Sequence, residues 1–402
     1  MATLTRSRPS TLSYAHGASD EPLLGETVGR CLDRICDAYP DREALVSVFQ
    51  DIRFTYREFQ AVVNRAAKAF IKLGIGRGDR VAIWSTNNYE WVVTQYATAK
   101  IGAVLVTINP AYRVHEFEYV LRESRAKALL LIESFKSSNY VEMFYEACPE
   151  AKNCEAGQID SWRYPHLRDV IFIGDTEYPG MFTERSFVHL GDDLPDEVVD
   201  ERERELDIDD HINIQYTSGT TGFPKGVVLT HNNILNNGYF IGEYMQFTEE
   251  DRLCVPVPFY HCFGMVVGNL AAMSHGAAVI IPAPSFDPLA TLQTVQDETC
   301  TALHSVPTMF VAMLEHPEFS NFDISTLRTG ITGAAPCPLE LMKKVTTTMH
   351  MSEIVTAYGQ TEAAPLTCMT APDDPVIRRC DSVGKVVCHQ ELKIVDPATG
   401  DI

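Results

Sequence analysis

Residues 216–227 read Tyr-Thr-Ser-Gly-Thr-Thr-Gly-Phe-Pro-Lys-Gly-Val, and short apolar runs flank this stretch on both sides. The runs Ile212–Tyr216 and Val227–Thr230 predict two β-strands joined by a loop of glycines and hydroxyl residues. Glycines let backbone N–H groups turn toward an anion, and serine and threonine hydroxyls add further donors. Because Lys225 adds a positive charge near its end, this loop is suited to wrap a triphosphate.

Spacing excludes two other phosphate-binding patterns. The pattern G-x-x-x-x-G-K-[ST] needs a lysine directly after its second glycine, whereas two residues separate Gly222 from Lys225. The segment Gly74–Gly78 does not have the spacing of the dinucleotide-binding pattern G-x-G-x-x-G. A plain hairpin loop is the alternative, but twelve consecutive residues of this composition favour a phosphate-binding loop.

Strand-like and helix-like segments alternate on both sides of the loop. Thr55 and Glu58 form a capping-box pattern before a helix whose apolar stripe runs from Phe59 to Leu73. This alternation predicts an α/β fold with a largely parallel sheet. Other short apolar runs predict buried strands at Val81–Ser85, Ala103–Ile108, Ala128–Ile132, Val170–Ile173, Leu253–Val257, Ala277–Ile281, Ala302–His304, Leu327–Thr332 and Glu353–Tyr358.

Length and charge narrow the class of protein. The chain has 402 residues, of which 45% are apolar, and this is enough for two or three hydrophobic cores. Its formal charge of −21 argues against a protein that mainly grips a nucleic-acid backbone. No apolar run approaches the ~18 residues of a membrane span. Eleven cysteines without a CxxC pair favour a reducing compartment, and we expect a cytoplasmic location.

Acidic residues mark a boundary within the chain. Between Asp192 and Asp210 eleven acids stand against two arginines, which predicts a solvated helix and linker rather than a partner-binding segment. We therefore expect two αβ lobes. The predicted segments are a flexible N-terminal tail (1–21), a first αβ lobe (22–190), an acidic linker (191–211), a second αβ lobe (212–375) and a C-terminal segment (376–402).

Further motifs accompany the loop along the chain. They are Asn87-Asn-Tyr-Glu-Trp91, the run Gly102–Arg113, Pro258-Phe-Tyr-His-Cys-Phe-Gly264, Thr332-Gly-Ala-Ala-Pro336 and Thr356-Ala-Tyr-Gly-Gln-Thr-Glu362. With the loop, they resemble the AMP-forming acyl-CoA synthetases of the adenylate-forming superfamily, over roughly residues 22–402. The resemblance implies the large N-terminal domain of that fold. This domain has two stacked αβ subdomains in an αβαβα layering, followed at 376–402 by the start of a small β-barrel subdomain.

The resemblance also implies a reaction. A carboxylate attacks the α-phosphorus of ATP, pyrophosphate leaves, and the acyl-adenylate then passes its acyl group to CoA. Two anions meet in the first step, so the site needs cations and oriented donors more than a protein nucleophile. ATP, Mg²⁺ and CoA are the implied small molecules, and a medium- or long-chain fatty acid is the expected substrate. A homodimer is also an open expectation.

Site roles follow from the resemblance, residue by residue. Lys225 is expected to hold the terminal phosphates, Thr361 the α-phosphate, and Tyr358 the adenine ring. The catalytic set is expected to be Thr217, Lys225, His261, Thr361 and Glu362, with Glu362 and Thr217 holding the metal. The nucleotide set is expected to be Thr217, Ser218, Gly219, Thr220, Thr221, Gly222, Lys225, Gly333, Ala334, Ala335, Pro336, Thr356, Ala357, Tyr358, Gly359, Gln360 and Thr361.

The acid is expected to bind an apolar pocket. Gly264 would leave room there for an aliphatic tail, although each of these residues could equally belong to the core. His231 is expected to cap the helix that starts near Asn232, and Cys262 to be a packing residue. The expected acid-binding residues are Tyr260, His261, Phe263, Gly264, Val267 and Val306.

Relatives in this family continue past the point where this chain ends. The resemblance places a ribose-binding aspartate, a hinge and a C-terminal domain with a catalytic lysine beyond residue 402. We therefore expect a chain without that C-terminal domain, incomplete for full turnover. Thr399-Gly-Asp401 is predicted to be a hairpin turn rather than the ribose motif.

Three alternatives stay open at this point. An aryl-acid–CoA ligase or an enzyme that loads a carrier-protein thiol would carry the same motifs, and substrate competition or CoA dependence would separate them. A nucleotide-binding fragment without turnover would bind ATP and release no pyrophosphate.

Overall fold

The computed structural model describes residues 13–217 and 223–402. The α-helices are α1 Val28–Ala38, α2 Tyr56–Lys72, α3 Tyr89–Lys100, α4 Val114–Ser124, α5 Tyr140–Ala147, α6 Glu184–Val188, α7 Glu197–Arg204, α8 His231–Met245, α9 Ala271–Met273, α10 Pro288–Asp297, α11 Pro307–Leu314, α12 Leu339–Thr348 and α13 Val376–Asp381. A π-helix spans Phe263–Leu270. Single 3₁₀ turns span Val48–Gln50, Pro149–Asn153, Phe319–Asn321 and Thr361–Ala363.

The described strands include eleven that overlap the predicted runs and nine that match none of them. They are β1 Tyr14–His16, β2 Glu43–Ser47, β3 Ile52–Thr55, β4 Arg80–Trp84, β5 Val104–Thr107, β6 Ala128–Leu131, β7 Ser134–Phe135, β8 Ser138–Asn139, β9 Asp169–Phe172, β10 Phe182–Thr183, β11 His211–Thr217, β12 Lys225–Thr230, β13 Arg252–Cys254, β14 Ala278–Ile281, β15 Ala302–Leu303, β16 Ile331–Thr332, β17 Val355–Gly359, β18 Leu366–Met369, β19 Lys385–Val386 and β20 Glu391–Lys393.

Two helix starts test the capping predictions. The capping box at α2 is confirmed, because the Thr55 hydroxyl accepts from the Glu58 N–H while Glu58 accepts from the Thr55 N–H. The cap of α8 is Thr230, whose hydroxyl accepts from the Asn233 N–H at 3.2 Å. The prediction that His231 caps this helix is therefore wrong. His231 is the first helical residue, fully buried, and its Nδ1 accepts from the Val28 N–H at 3.1 Å.

Two main sheets organise the lobes. The first sheet has the order β10-β9-β6-β4-β5-β11-β12 and the second has the order β15-β13-β14-β2-β3. Each of these sheets contains strands from both sides of the predicted lobe boundary at 191–211. Strands β11 and β12 close the first sheet, while β2 and β3, from the start of the chain, complete the second. Strands of each half of the sequence are thus found in the sheet of the other half, because backbone pairing joins segments that are far apart in sequence.

In the described part of the chain, three hydrophobic cores lie between the layers of the expected αβαβα arrangement. Neighbouring residues of β4 point to opposite faces of the first sheet, so Ile83 belongs to the central core and Trp84 to an outer one. In that outer core Trp84 stacks between Phe117 and Tyr140, with ring centroids 4.2 and 4.1 Å away. The central core lies between the two sheets around α1, α2, α3 and α8. The third core packs α10, α11 and α12 on the far face of the second sheet.

The predicted linker and tail both carry ordered structure. Helix α7 lies inside the acidic segment and packs against α2 and α3, with Val199 buried. Ion pairs of 2.7 Å from Lys68 to Asp196 and 2.5 Å from Lys72 to Asp193 hold the segment to α2. Strand β1 falls inside the predicted flexible tail and pairs antiparallel with β20. This part of the tail prediction is wrong because the partner strand lies at the other end of the sequence.

The C-terminal part of the structure holds smaller sheets. One has the order β16-β17-β18-β19, and among the described strands these sheets do not close into a barrel. The segment 396–401 forms a turn, in which the Gly400 N–H donates to the Asp396 carbonyl at 2.8 Å. In the described part of the chain, no helix has the length and apolarity needed to cross a bilayer.

Candidate active site

The ends of the phosphate loop meet at one edge of the first sheet. Strand β11 runs parallel to β5 and antiparallel to β12, and the register places Thr217 directly opposite Lys225. Ligands of open α/β sheets bind beyond the carboxyl ends of parallel strands, and the end of β11 is such a position. The predicted residues Ser218, Gly219, Thr220, Thr221 and Gly222 lie outside the described residues.

An aromatic stack supports the exit of this loop. Phe223 lies on Tyr119 of α4, with ring centroids 5.1 Å apart and planes 28° from parallel. Tyr119 also meets Tyr216 edge-on at 6.4 Å. Nothing in the sequence marks Tyr119, because its place in an amphipathic helix carries no signal of contact with a loop about a hundred residues away.

Side chains of the first lobe hold the segment 258–264 in place. The Asn87 amide donates to the Val257 carbonyl and accepts from the Phe259 N–H, both at 2.9 Å. The Thr107 hydroxyl at the end of β5 donates to the Tyr260 carbonyl at 2.9 Å. These contacts fix the His261 segment relative to the sheet that carries Thr217.

His261 is held as a neutral imidazole. Its Nδ1 lies 3.1 Å from the Phe263 N–H and accepts this hydrogen bond, so the ring proton of the neutral form sits on Nε2. Packing around the ring removes water and lowers the pKa of His261 below its ordinary value. Because the residue as a whole is solvent-accessible, its Nε2–H can donate to an incoming anion without placing a full charge there.

Cys262 links the 258–264 segment to β11, close to the 356–362 segment. Its thiol donates to the Gln215 side-chain oxygen of β11 at 2.8 Å. Burial raises the pKa of Cys262 to about 12, with the Thr361 hydroxyl and the Glu362 carboxylate close enough to modify it. The thiol therefore stays protonated at neutral pH, as expected of a packing residue rather than a nucleophile.

The 356–362 segment turns different side chains toward the fold and toward solvent. The Thr356 hydroxyl donates to the Arg379 carbonyl at 2.6 Å, so this predicted nucleotide-binding side chain is engaged inside the fold. Tyr358 is half exposed, and Gln360 is also exposed, so both can meet a ligand. Thr361 is buried at the start of its 3₁₀ turn.

Glu362 is suited to act as a ligand of a magnesium ion. Its carboxylate is exposed and lies at the rim of a cavity of about 340 Å³ lined by amide side chains of α8. Mg²⁺ keeps most of its shell as water and phosphate oxygens, so one such carboxylate with room beside it fits the ion.

The predicted adenine-side loop lies next to Tyr358. Strands β16 and β17 pair in parallel, and a Cβ added to Gly333 would lie 3.2 Å from the Ala357 carbonyl oxygen. Ala334, Ala335 and Pro336 are exposed, and Ala334 adopts a left-handed φ of 65°. This loop and the Tyr358 strand therefore form one surface.

The predicted acid-binding residues fall into two groups. The Phe263 ring stacks on His304 and the Val267 carbonyl accepts a hydrogen bond from it, while Val306 follows it by two positions in the chain. His304 is buried, and the sequence predicts it only as the end of a strand. Tyr260 lies near the phenols of Tyr112 and Tyr140. Burial raises the pKa of both of those tyrosines, and Tyr260 adds to this effect. A buried histidine cannot be told from an exposed one by its neighbours in sequence.

Gly264 has a different role from the expected one. A Cβ added there would lie 2.3 Å from the Pro258 carbonyl oxygen and 2.9 Å from the Phe259 Cα. The glycine is therefore required by the close approach of two backbone segments, and the expectation that it leaves room for a tail is corrected.

Gly264→Ala is expected to lower the free energy of unfolding by about 1–3 kcal/mol, because the added methyl forces two backbone segments apart. Urea unfolding followed by circular dichroism measures this change. Gly76→Ala is the matched control, since nothing lies within 4 Å of a Cβ added there. Equal stabilities of the two variants would contradict the packing argument.

Comparisons with known proteins show the family and the fold of the chain. Residues 32–402 match the family described as AMP-binding enzyme. The putative acyl-CoA synthetase YngI of Bacillus subtilis (strain 168) is 48% identical over 377 residues, which are 94% of this chain and 68% of that protein. The mitochondrial medium-chain acyl-CoA ligase ACSF2 of Danio rerio is 42% identical over 394 residues, 98% of this chain and 65% of that protein. The chain thus spans about two thirds of the length of these relatives.

Solved structures share the fold. The inhibitor-bound N-terminal domain of FACL13 from Mycobacterium tuberculosis superposes with a TM-score of 0.75 at 27% identity, covering 90% of this chain and 82% of that one. The anthranilate CoA ligase AuaEII in complex with anthranoyl-AMP gives a TM-score of 0.80 at 24% identity, covering 95% of this chain and 68% of that one. At that identity the second likeness concerns the fold alone.

Proposed function

Because the chain belongs to the family of AMP-binding enzymes, we propose that it activates a carboxylic acid with ATP and that the acyl group then passes to CoA. A carboxylate oxygen attacks the α-phosphorus, the bond to the β-phosphate oxygen breaks, and pyrophosphate leaves. The acid we propose is a medium- or long-chain fatty acid. The observation that carries the proposal is the hydrogen bond of 2.8 Å from Cys262 to Gln215, which holds the 258–264 segment against β11, the strand whose last residue Thr217 lies opposite Lys225.

The resemblance to the family gives each residue a task in this proposal. Lys225, beside Thr217, would hold the terminal phosphates. His261 would donate its Nε2–H to the acid's carboxylate, which orients the attacking oxygen. Thr361 would donate to the α-phosphate, and the exposed ring of Tyr358 would stack on adenine. Mg²⁺, when bound at Glu362 and Thr217, would neutralise phosphate charge.

Mass spectrometry of the protein with ATP, Mg²⁺ and a panel of acids, with and without CoA, tests the proposal. We expect an acyl-adenylate from aliphatic acids. Glu362→Gln should lose this product, whereas Glu340→Gln, an exposed carboxylate on α12, should keep it. Product from aryl acids alone would make the protein an aryl-acid ligase. Stabilisation by ATP without any product would contradict acid activation and leave a nucleotide-binding protein.

The cellular location and the oligomeric state of the protein are also proposals. The eleven cysteines, all within the described residues, are free thiols, which supports a reducing compartment such as the cytoplasm. A homodimer stays a prediction that light scattering can test.

A further inference from the structure

A cavity of about 190 Å³ is lined by the end of α4 and by the segment before β9. Its floor is largely apolar and buried, and consists of Leu121, Ala126, Tyr164 and Leu167. Its edge is exposed and carries three guanidinium groups and an imidazole, from Arg122, Arg125, Arg163 and His166. We call these four residues the basic rim. Guanidinium groups bind phosphate oxygens well, so the cavity is suited to an anionic group that is joined to an apolar body.

The charge of this surface is opposite to that of the whole protein. The segments 122–127 and 160–168, which supply the rim, contain five arginines and lysines against two acids, whereas the chain as a whole carries a charge of −21. Arg122 and Arg125 stand at the end of α4, where cations complement the helix dipole. Arg163 and His166 lie outside the helices and line the same cavity, so a helix end does not account for the rim.

Trp162 stands next to the basic rim with its ring in water. It is 81% exposed, the highest value among the large apolar residues of the described part of the chain. The Arg163 guanidinium lies 5.4 Å from the centre of its ring. Indole rings are enriched where proteins meet the headgroup region of a bilayer, because the ring is apolar and its N–H is polar. An exposed tryptophan beside clustered arginines is therefore typical of a surface that meets anionic lipid.

This surface lies at the opposite edge of the first sheet from the candidate active site. Lys127 and Arg168 directly precede the parallel strands β6 and β9, so the rim is at the amino ends of these strands. Thr217 is at the carboxyl end of β11, which runs in the same direction in the same sheet. A partner that covers the rim therefore leaves the end of β11 open.

We propose that the basic rim and Trp162 form a docking surface for an anionic lipid membrane. The arginines contact lipid phosphates, and the indole lies at the level of the headgroups. The charge of the rim selects an anionic surface, while the exposed ring and the apolar floor favour a lipid over a soluble anion. This inference is independent of the proposed function, because it uses no residue of the candidate active site.

Tryptophan emission in the presence of vesicles tests the proposal on the full chain. The sequence has three tryptophans, and Trp84 and Trp91 are fully buried, so a change of emission on binding reports Trp162. With vesicles of phosphatidylcholine and phosphatidylglycerol in equal parts, we expect the emission to move to shorter wavelength and brominated lipids to quench it. Vesicles of phosphatidylcholine alone should leave the emission unchanged, and added salt should reverse the shift.

Sedimentation with the same vesicles measures the binding of variants. Arg125→Gln combined with Arg163→Gln removes two charges, and we expect binding to fall about twentyfold, since each basic residue at an anionic surface contributes about fivefold. Trp162→Ala should lower binding about tenfold through the loss of apolar contact. The matched control combines Arg57→Gln with Arg378→Gln, two exposed arginines on other surfaces, and should change binding by less than about twofold.

Equal binding to the two kinds of vesicle would overturn the inference, and so would binding to neither. An equal loss in the control pair would also overturn it, because removal of charge at any place would then weaken binding. Glycerol phosphate, titrated calorimetrically without vesicles, separates the two sources of a phosphate group. If it bound while anionic vesicles did not, the cavity would hold a small anion and the membrane assignment would be wrong. Melting curves establish that each variant is folded.

Discussion

Replacing Lys225 by alanine is expected to weaken the binding of ATP with Mg²⁺ about a hundredfold. Lys225 is the first residue of β12 and lies directly opposite Thr217. Its charge is therefore next to the end of the glycine- and threonine-rich loop. A charged donor aimed at phosphate in a preorganised site accounts for about 10²–10³ in binding or rate. Isothermal titration with ATP and Mg²⁺ measures the effect.

Two controls make this result specific. Lys225→Arg keeps the charge and should retain most of the affinity, with a loss of about tenfold at most because its planar head differs in shape. Lys343→Ala removes an exposed lysine that pairs with Glu340 on α12, and it should leave the affinity unchanged. An unaltered dissociation constant in Lys225→Ala would mean that the phosphates bind elsewhere.

Replacing Arg379 by methionine is expected to lower the free energy of unfolding by about 3–5 kcal/mol. The guanidinium is buried and donates only to backbone carbonyls among the contacts described. Its acceptors are Ser352 and Ile354 at 2.8 Å each, Asp374 at 2.8 Å, and Pro372. Methionine fills much of the same space but leaves these carbonyls without their donor. Urea unfolding followed by tryptophan fluorescence measures the loss.

The neighbouring residue is a matched control. Arg378 is exposed and contacts Asp374 at 3.2 Å, so Arg378→Met should change the stability by less than about 0.5 kcal/mol. Arg379 also carries the carbonyl that accepts from Thr356, one strand position from the proposed adenine surface. Its variant should therefore weaken nucleotide binding as well, provided that it is measured below its melting temperature. Equal stabilities of the two variants would contradict a role for the buried guanidinium.

Two local signals agree with the structure. The capping box at Thr55 depends on contacts within about four residues, and the buried strand at Ala128–Leu131 follows from a run of apolar residues. The cap of α8 shows the limit of this reading. Thr230 is of a residue type that favours N-cap positions and its bond to Asn233 is local, whereas the burial of the His231 imidazole against Val28 is visible only in the folded molecule.

Contacts between distant residues could not be predicted in the same way. Arg379 was given no role, because its value comes from four carbonyls on other segments. Gly264 was interpreted as open space, although a backbone oxygen lies where its side chain would be. In each case the residue type was visible in the sequence, while its surroundings depended on the path of the chain.

The sequence was sufficient for the αβ alternation, the two strands that flank the glycine-rich loop and the family, because these depend on residue type and on spacings of a few positions. The exchange of strands between the two sheets, the pairing of β1 with β20 and the buried links made by His304 required the folded molecule. Backbone pairing and close packing select partners by position in space, and residues separated by hundreds of positions leave no local pattern that identifies them as neighbours.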